Sequence, residues 1–185
     1  ALHDLLTRFS IRPQMVSGYS LGESSGLFST GAWRERDAML QRLKDSPLFT
    51  RELAGECRAA RRTWGLPPGQ QVDWHLGIVN VSAERVKKVL VNKKQVYLLI
   101  INTYKECVIG GRREQVHRAV NELGCHFIPL QGVTTVHCEV TRAVADAYRN
   151  LHLFDVRAPR GIDFYSCAFG GKYPLTTTNA ADAIL

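Results

Sequence analysis

The chain has 185 residues, 45% of them hydrophobic and 22% charged, which is enough for a buried core and ordinary for a folded protein. Its 24 basic and 17 acidic residues leave a formal net charge of +7, which favours acidic partners. No apolar run reaches membrane-spanning length and no secretory signal is present, which predicts a cytoplasmic chain with no membrane partner; five scattered cysteines without a Cys-x-x-Cys pair predict free thiols, with neither a disulfide framework nor a metal site.

Residues 1–9 place Leu2, Leu5, Leu6 and Phe9 at helical spacing, an amphipathic helix expected to cover the sheet behind it. Met15 and Val16 then read as a short buried strand that runs into Gly18-Tyr19-Ser20-Leu21-Gly22-Glu23. This Gly-x-Ser-x-Gly pattern is followed by small and apolar residues, Ser24 to Thr30, that open a helix. A serine on such a strand-to-helix turn is lifted out of the backbone, and the glycines leave room around it. The N–H of Leu21 at the helix start is a candidate oxyanion donor. The other reading is a glycine-rich turn with a serine cap, and a distant partner for the serine separates the two.

A second helix is predicted from Ala32 to about Lys44, stopped by Asp45-Ser46-Pro47, and an arginine-rich third from Leu53 to Trp64. Basic residues gather at Arg58, Arg61, Arg62 and at Lys87, Lys88, Lys93, Lys94. These are either solvated faces or, near Arg61 and Lys87, contacts for an acidic partner.

Gly65 to Gln71, with Pro67-Pro68 between glycines, is the clearest break in the chain. Beyond it come a strand at Val72–Val81, a helix from Ser82 to about Val91 with Ser82 as cap, and strands at Gln95–Asn102 and Glu106–Ile109. A helix at Arg112–Leu123 stopped by Gly124 and a strand at Cys125–Leu130 complete the series. Strand-helix-strand-strand-helix-strand is the split ferredoxin-like pattern. Boundaries are therefore expected at 1–68, 69–131 and 132–185. The remainder reads as a helix at Cys138–Leu151, a turn at Pro159-Arg160-Gly161, a strand at Ile162–Cys167 and a closing helix capped by Asn179.

Among six histidines, His137 stands out because it lies where the small module hands the chain back. A neutral imidazole there can take the Ser20 proton and later return one to a leaving group.

The stretch from Gly18 to Glu23 resembles the Gly-His-Ser-Leu-Gly-Glu signature of acyl-carrier-protein acyltransferases, the malonyl-transacylase-like domains of fatty acid and polyketide synthases. Asn102-Thr103-Tyr104-Lys105-Glu106-Cys107-Val108-Ile109-Gly110-Gly111 is similar to that family's Asn-x-Pro-x-Gln-x-Val-x-Ser-Gly stretch, and Val133 to Cys138 to its Val-Pro-Ser-His-Cys region. Tyr19, with Leu27-Phe28 after it, is also similar to acyltransferase domains of polyunsaturated-fatty-acid synthases. The resemblance implies an α/β fold. A hydrolase-like parallel-sheet core, incomplete here, would occupy 1–68 and 132–185, and a ferredoxin-like subdomain would be inserted at 69–131.

The resemblance further implies an acyltransferase with Ser20 and His137 as its catalytic pair, the Leu21 N–H in the oxyanion hole, and Tyr19, Arg42 and Val136 at the substrate. It implies no bound cofactor: acyl-CoA is the acyl donor and the phosphopantetheine of an acyl carrier protein the acceptor. Neighbouring synthase domains are the further partners; nucleic acid is not expected, because the strands at His75–Val81 and Glu106–Ile109 offer no aromatics for base stacking. The family's histidine is oriented by a backbone carbonyl, with no third carboxylate member.

Two departures stand out. The arginine by which malonyl-selecting members hold the free carboxylate corresponds, counting from Ser20, to Asp45. Arg42 lies one turn earlier, and is either a replacement or a surface arginine. The family's first strand would precede Ala1 and its last would follow Leu185, so a piece of a larger synthase is expected. An α/β-hydrolase-type esterase or thioesterase and an inactive acyltransferase-like docking domain are the alternatives.

Overall fold

The computed structural model describes residues 2–132 and 134–185. Ala1, at the head of the expected first helix, and Val133, at the head of the histidine-bearing stretch, lie outside the described residues. Two compact units form, Ala1–Asp45 with Ala145–Leu185, and Ser46–Val144. The chain begins with α1 (Leu2–Arg8), β1 (Met15–Ser17), α2 (Leu21–Ser29) and α3 (Arg36–Asp45). The second unit holds a wide helical turn at Leu48–Glu52, α4 (Arg58–Thr63), β2 (Trp74–Val79), α5 (Ala83–Leu90), β3 (Val96–Thr103), β4 (Glu106–Arg112), α6 (Arg113–Leu123), β5 (Phe127–Pro129) and a tight helical turn at Glu139–Val144. The chain returns to the first unit with α7 (Ala145–Leu151), β6 (Asp163–Ser166), β7 (Gly171–Tyr173) and α8 (Thr177–Ile184).

The sheet of the first unit has the order β1-β6-β7, with β1 and β6 parallel and β7 antiparallel to β6. Val16 stands opposite Phe164, and Ser17 opposite Tyr165. Parallel neighbours need a crossover connection, and here it includes the entire second unit. Leu27, Trp33, Met39, Phe154, Phe164, Tyr173 and, from α8, Ala180 and Ala183 form the core. Trp33 is its hub, with ring centroids 5.4 Å from Phe28, 5.4 Å from Phe154 and 6.4 Å from His152. α8 is capped by Thr176, whose hydroxyl accepts the Asn179 N–H at 3.1 Å, so the expected Asn179 cap is displaced by three residues. The Asn179 side chain instead donates to Pro174 O at 2.8 Å.

α1 corrects another expectation. None of its residues is buried, and Leu2, Leu5 and Phe9 are 69%, 51% and 70% exposed. Its apolar stripe exists, but among the described residues no element of its unit covers it.

In the second unit the sheet order is β3-β4-β2-β5, and every neighbouring pair is antiparallel. With its two helices this is the split βαββαβ arrangement. Val86 of α5 and Val116, Ala119 and Leu123 of α6 pack on Val79, Val96, Cys107 and Ile109. The opposite face carries Trp74, stacked between Trp64 (5.4 Å) and Tyr97 (6.0 Å), and Trp64 Nε1 donates to Tyr97 OH at 2.8 Å. Ser82 and Gly124 cap as expected, the serine accepting the Arg85 N–H and the glycine taking the left-handed conformation.

Two predicted helices break. The arginine-rich one starts only at Arg58, because Gly55 and Cys57 both take positive φ. The one predicted at Cys138–Leu151 divides into the tight turn 139–144 and α7, where the chain passes from one unit to the other. The compact second unit is wider than the span 69–131 read from sequence. Leu53 O accepts from Thr135, and α4 packs on the turn 139–144, which draws both flanks into it.

His152 is buried beneath Trp33, with Nδ1 2.8 Å from Tyr148 O. Burial, helped by the nearby Arg42 charge, holds its pKa below the ordinary 6.5. The unfolded chain therefore takes up this proton first, and the His152 contribution to stability is full above about pH 6.5 and falls as the pH drops toward the depressed value. Urea midpoints measured from pH 8 to pH 5 are expected to fall on the acid side, with a smaller slope in His152→Gln.

Candidate functional site

The turn that carries Ser20 is built by β1 and α2. β1 delivers the chain to Gly18, and the helix starts at Leu21, so Ser20 sits on the turn itself with φ 52° and ψ −118°. Such a conformation costs a non-glycine residue about 1–3 kcal/mol and survives only where its surroundings hold it. Gly18 is required by that turn. A Cβ there would lie 2.1 Å from Glu23 N and 2.3 Å from Glu23 Cα, both backbone atoms. Gly22, the second glycine of the motif, is different, since a Cβ there meets nothing within 4 Å. Gly26, which the motif does not include, matters more: a Cβ there would fall 2.6 Å from Val16 Cγ1, so α2 lies close upon β1.

In the first turn of α2, the Gly22 N–H donates to Tyr19 O at 2.8 Å and the Glu23 N–H to Ser20 O at 3.0 Å. Leu21, the residue after Ser20, opens the helix, and its N–H is one of the first-turn donors. Tyr19 and Leu21 are 57% and 81% exposed, and Ser20 is exposed as well. The Glu23 carboxylate accepts from Ser166 Oγ at 3.1 Å and from the Cys167 N–H at 3.4 Å. Burial pushes its pKa above the ordinary carboxylate value despite those two bonds.

His137 is carried by the loop after β5. Thr135 is fully buried, and its N–H and hydroxyl both donate to Leu53 O, at 2.7 and 3.1 Å. Cys138 Sγ donates to Thr135 O at 3.6 Å, and its thiol is pushed up to about 11 by burial. Val140 and Thr141 are buried in the turn that follows. Between these anchors Val136 is half-buried, and His137 takes φ 64°, a positive value uncommon outside glycine. The His137 residue keeps an exposed surface, and partial burial of its ring lowers its pKa below 6.5. At neutral pH the imidazole is therefore neutral, the form a general base requires.

Tyr19, Ser20 and Leu21 thus lie together at the elbow, and Val136 and His137 together on the loop. Arg42 has a structural role: its Nη1 donates to Leu153 O at 2.8 Å and its guanidinium lies 4.0 Å over the Phe154 ring, anchoring the segment after α7 to α3. Sequence reading placed Glu23 in the motif but missed its bond to Ser166, and missed Thr135 altogether. Each acts through a bond to a residue far along the chain, and a buried threonine or serine carries no periodic signal. All five cysteines are free thiols, and among the described residues no helix is long and apolar enough to cross a membrane.

This fold is the one found in acyltransferase domains of polyketide synthases and in malonyl-CoA transacylases. The acyltransferase domain of an iterative polyketide synthase of enediyne biosynthesis superimposes with a TM-score of 0.68 at 18% identity, covering 99% of this chain and 46% of that one. The malonyl CoA-acyl carrier protein transacylase of Burkholderia pseudomallei gives 0.70 at 18% identity, covering 99% of this chain and 59% of that one.

At the level of sequence the chain is distantly related to synthase polypeptides. It is 27% identical over 150 residues to a polyunsaturated fatty acid synthase polypeptide of a Thraustochytrium species, and 27% identical over 183 residues to the highly reducing polyketide synthase phiA of a fungal species. Those stretches cover 77% and 96% of this chain and 7% of each relative, and the chain spans about half of the two solved structures named above. No family model matches.

The two glycines of the motif give a direct test of the elbow. Gly18→Ala is expected to cost about 1–3 kcal/mol or more through its clash with backbone, whereas Gly22→Ala stays within about 1 kcal/mol of wild type, both read from denaturant midpoints.

Proposed function

We propose that this chain carries the acyl-transfer site of a fatty acid or polyketide synthase, moving an acyl group from acyl-CoA to the phosphopantetheine thiol of an acyl carrier protein. The observation that carries the reading is Ser20 held at a strained strand-to-helix turn, in a chain with the acyltransferase-domain fold. In this reading the first unit is part of a hydrolase-like core and the βαββαβ unit is its inserted subdomain.

Ser20 Oγ attacks the thioester carbonyl while His137 takes its proton. The Leu21 N–H stabilises the oxyanion of the tetrahedral intermediate. The carbon–sulfur bond breaks, the CoA thiol leaves with the proton from His137, and an acyl-serine remains. The carrier thiol then attacks that ester, giving its proton to His137, which returns it to Ser20. Tyr19 and Val136 flank the acyl group. Arg42 is already engaged at Leu153 and Phe154, so selection of a malonyl carboxylate is not assigned to it.

Intact-protein mass spectrometry after incubation with malonyl-CoA, acetyl-CoA and longer acyl-CoAs tests this. A single acyl adduct is expected, absent in Ser20→Ala and forming about 10²–10⁴-fold more slowly in His137→Gln. No adduct from any thioester on folded protein would favour a docking role without catalysis.

A further inference from the structure

The loop from Ser17 to Glu23 is tied down at both ends on one strand. Before the elbow, Ser17 pairs with Tyr165 in the parallel ladder between β1 and β6. After it, the Glu23 carboxylate meets the hydroxyl of Ser166, the next residue of β6, at 3.1 and 3.3 Å from its two oxygens. Ser166 is only 4% exposed and is itself a junction. Its hydroxyl also faces Ala183 O of α8 at 3.2 Å and accepts the Ala168 N–H at 3.1 Å. The Cys167 N–H adds a second donor to Glu23. The strained residue therefore sits between two attachments one residue apart on the same strand.

Building on the reading of Ser20 as the nucleophile, we infer that Glu23 is a positioning residue: its bond to Ser166 closes the loop on β6 and holds Ser20 in its reactive backbone conformation. A helix start held only by its own backbone bonds can let φ of Ser20 relax. The carboxylate prevents that by fixing the first turn of α2 to a buried point. Glu23 touches neither donor nor acceptor substrate in this account and acts through Ser20 alone.

The test is the rate at which an alkyl fluorophosphonate labels Ser20 of the folded chain, followed by intact mass, with thermal unfolding and amide exchange measured alongside. Glu23→Ala is expected to slow labelling about tenfold or more at a temperature where it remains folded. Glu23→Gln, whose amide oxygen accepts the same two bonds, stays within about threefold of wild type. Ser166→Ala slows labelling like Glu23→Ala, and the double variant is no slower than either single one, because both break one link. Wild-type labelling in Glu23→Ala, or additive losses that merely follow melting temperature, would overturn the inference. If wild type is unlabelled, or Ser20→Ala is labelled equally, the acyl-serine reading fails. Amide exchange then decides for Glu23: faster exchange at Leu21, Gly22 and Glu23 in Glu23→Ala supports the clamp, and unchanged exchange overturns it.

Discussion

A serine with φ near +52° relaxes to a commoner conformation unless the chain on both sides is fixed. Much of the first unit can be read as the means of fixing it. The β1–β6 ladder sets the approach, Gly18 lets the incoming backbone pass beneath Glu23, and Gly26 lets α2 settle on Val16. The core around Leu27 and Trp33 then holds α2 against the sheet. The local cost of the turn is small beside the burial of those side chains, so the fold can carry it.

The second unit applies the same logic to a different residue. Its sheet and two helices bury a self-contained core, and the chain leaving β5 is pinned by Thr135 to a carbonyl more than eighty residues earlier. Only then does it reach His137, also at positive φ. Strain thus falls on both residues proposed for the chemistry, and in each case buried anchors lie a few positions away. The lowered pKa of His137 has an ordinary cause, partial burial, and it keeps the ring in the neutral form.

The parts legible in the sequence were those governed by local rules. The βαββαβ series was readable because each helix carried its own start or stop signal, as Ser82 and Gly124 show. The elbow was readable because Gly-x-Ser-x-Gly encodes a sharp turn. What could not be read were the long-range bonds: Glu23 to Ser166, Thr135 to Leu53, and Arg42 to Leu153 after α7. Periodicity also misled at α1, whose apolar stripe is real yet exposed. A stripe reports the capacity to pack, and the partner has to be found elsewhere. Motif position misled in a subtler way, since Gly22 belongs to the pattern but Gly26 does more to bring helix and strand together.

Acyl transfer and ester hydrolysis share a first half and part company at the second, when either a thiol or water attacks the acyl-serine. The most direct measurement is therefore a single-turnover one: the isolated acyl-enzyme is mixed with a phosphopantetheine-bearing carrier protein or with buffer alone, and loss of the adduct is timed by mass. Transfer predicts rapid discharge onto the thiol and slow discharge in buffer. Equal rates in the two mixtures, with free acid as the product, would identify a hydrolase and contradict the account.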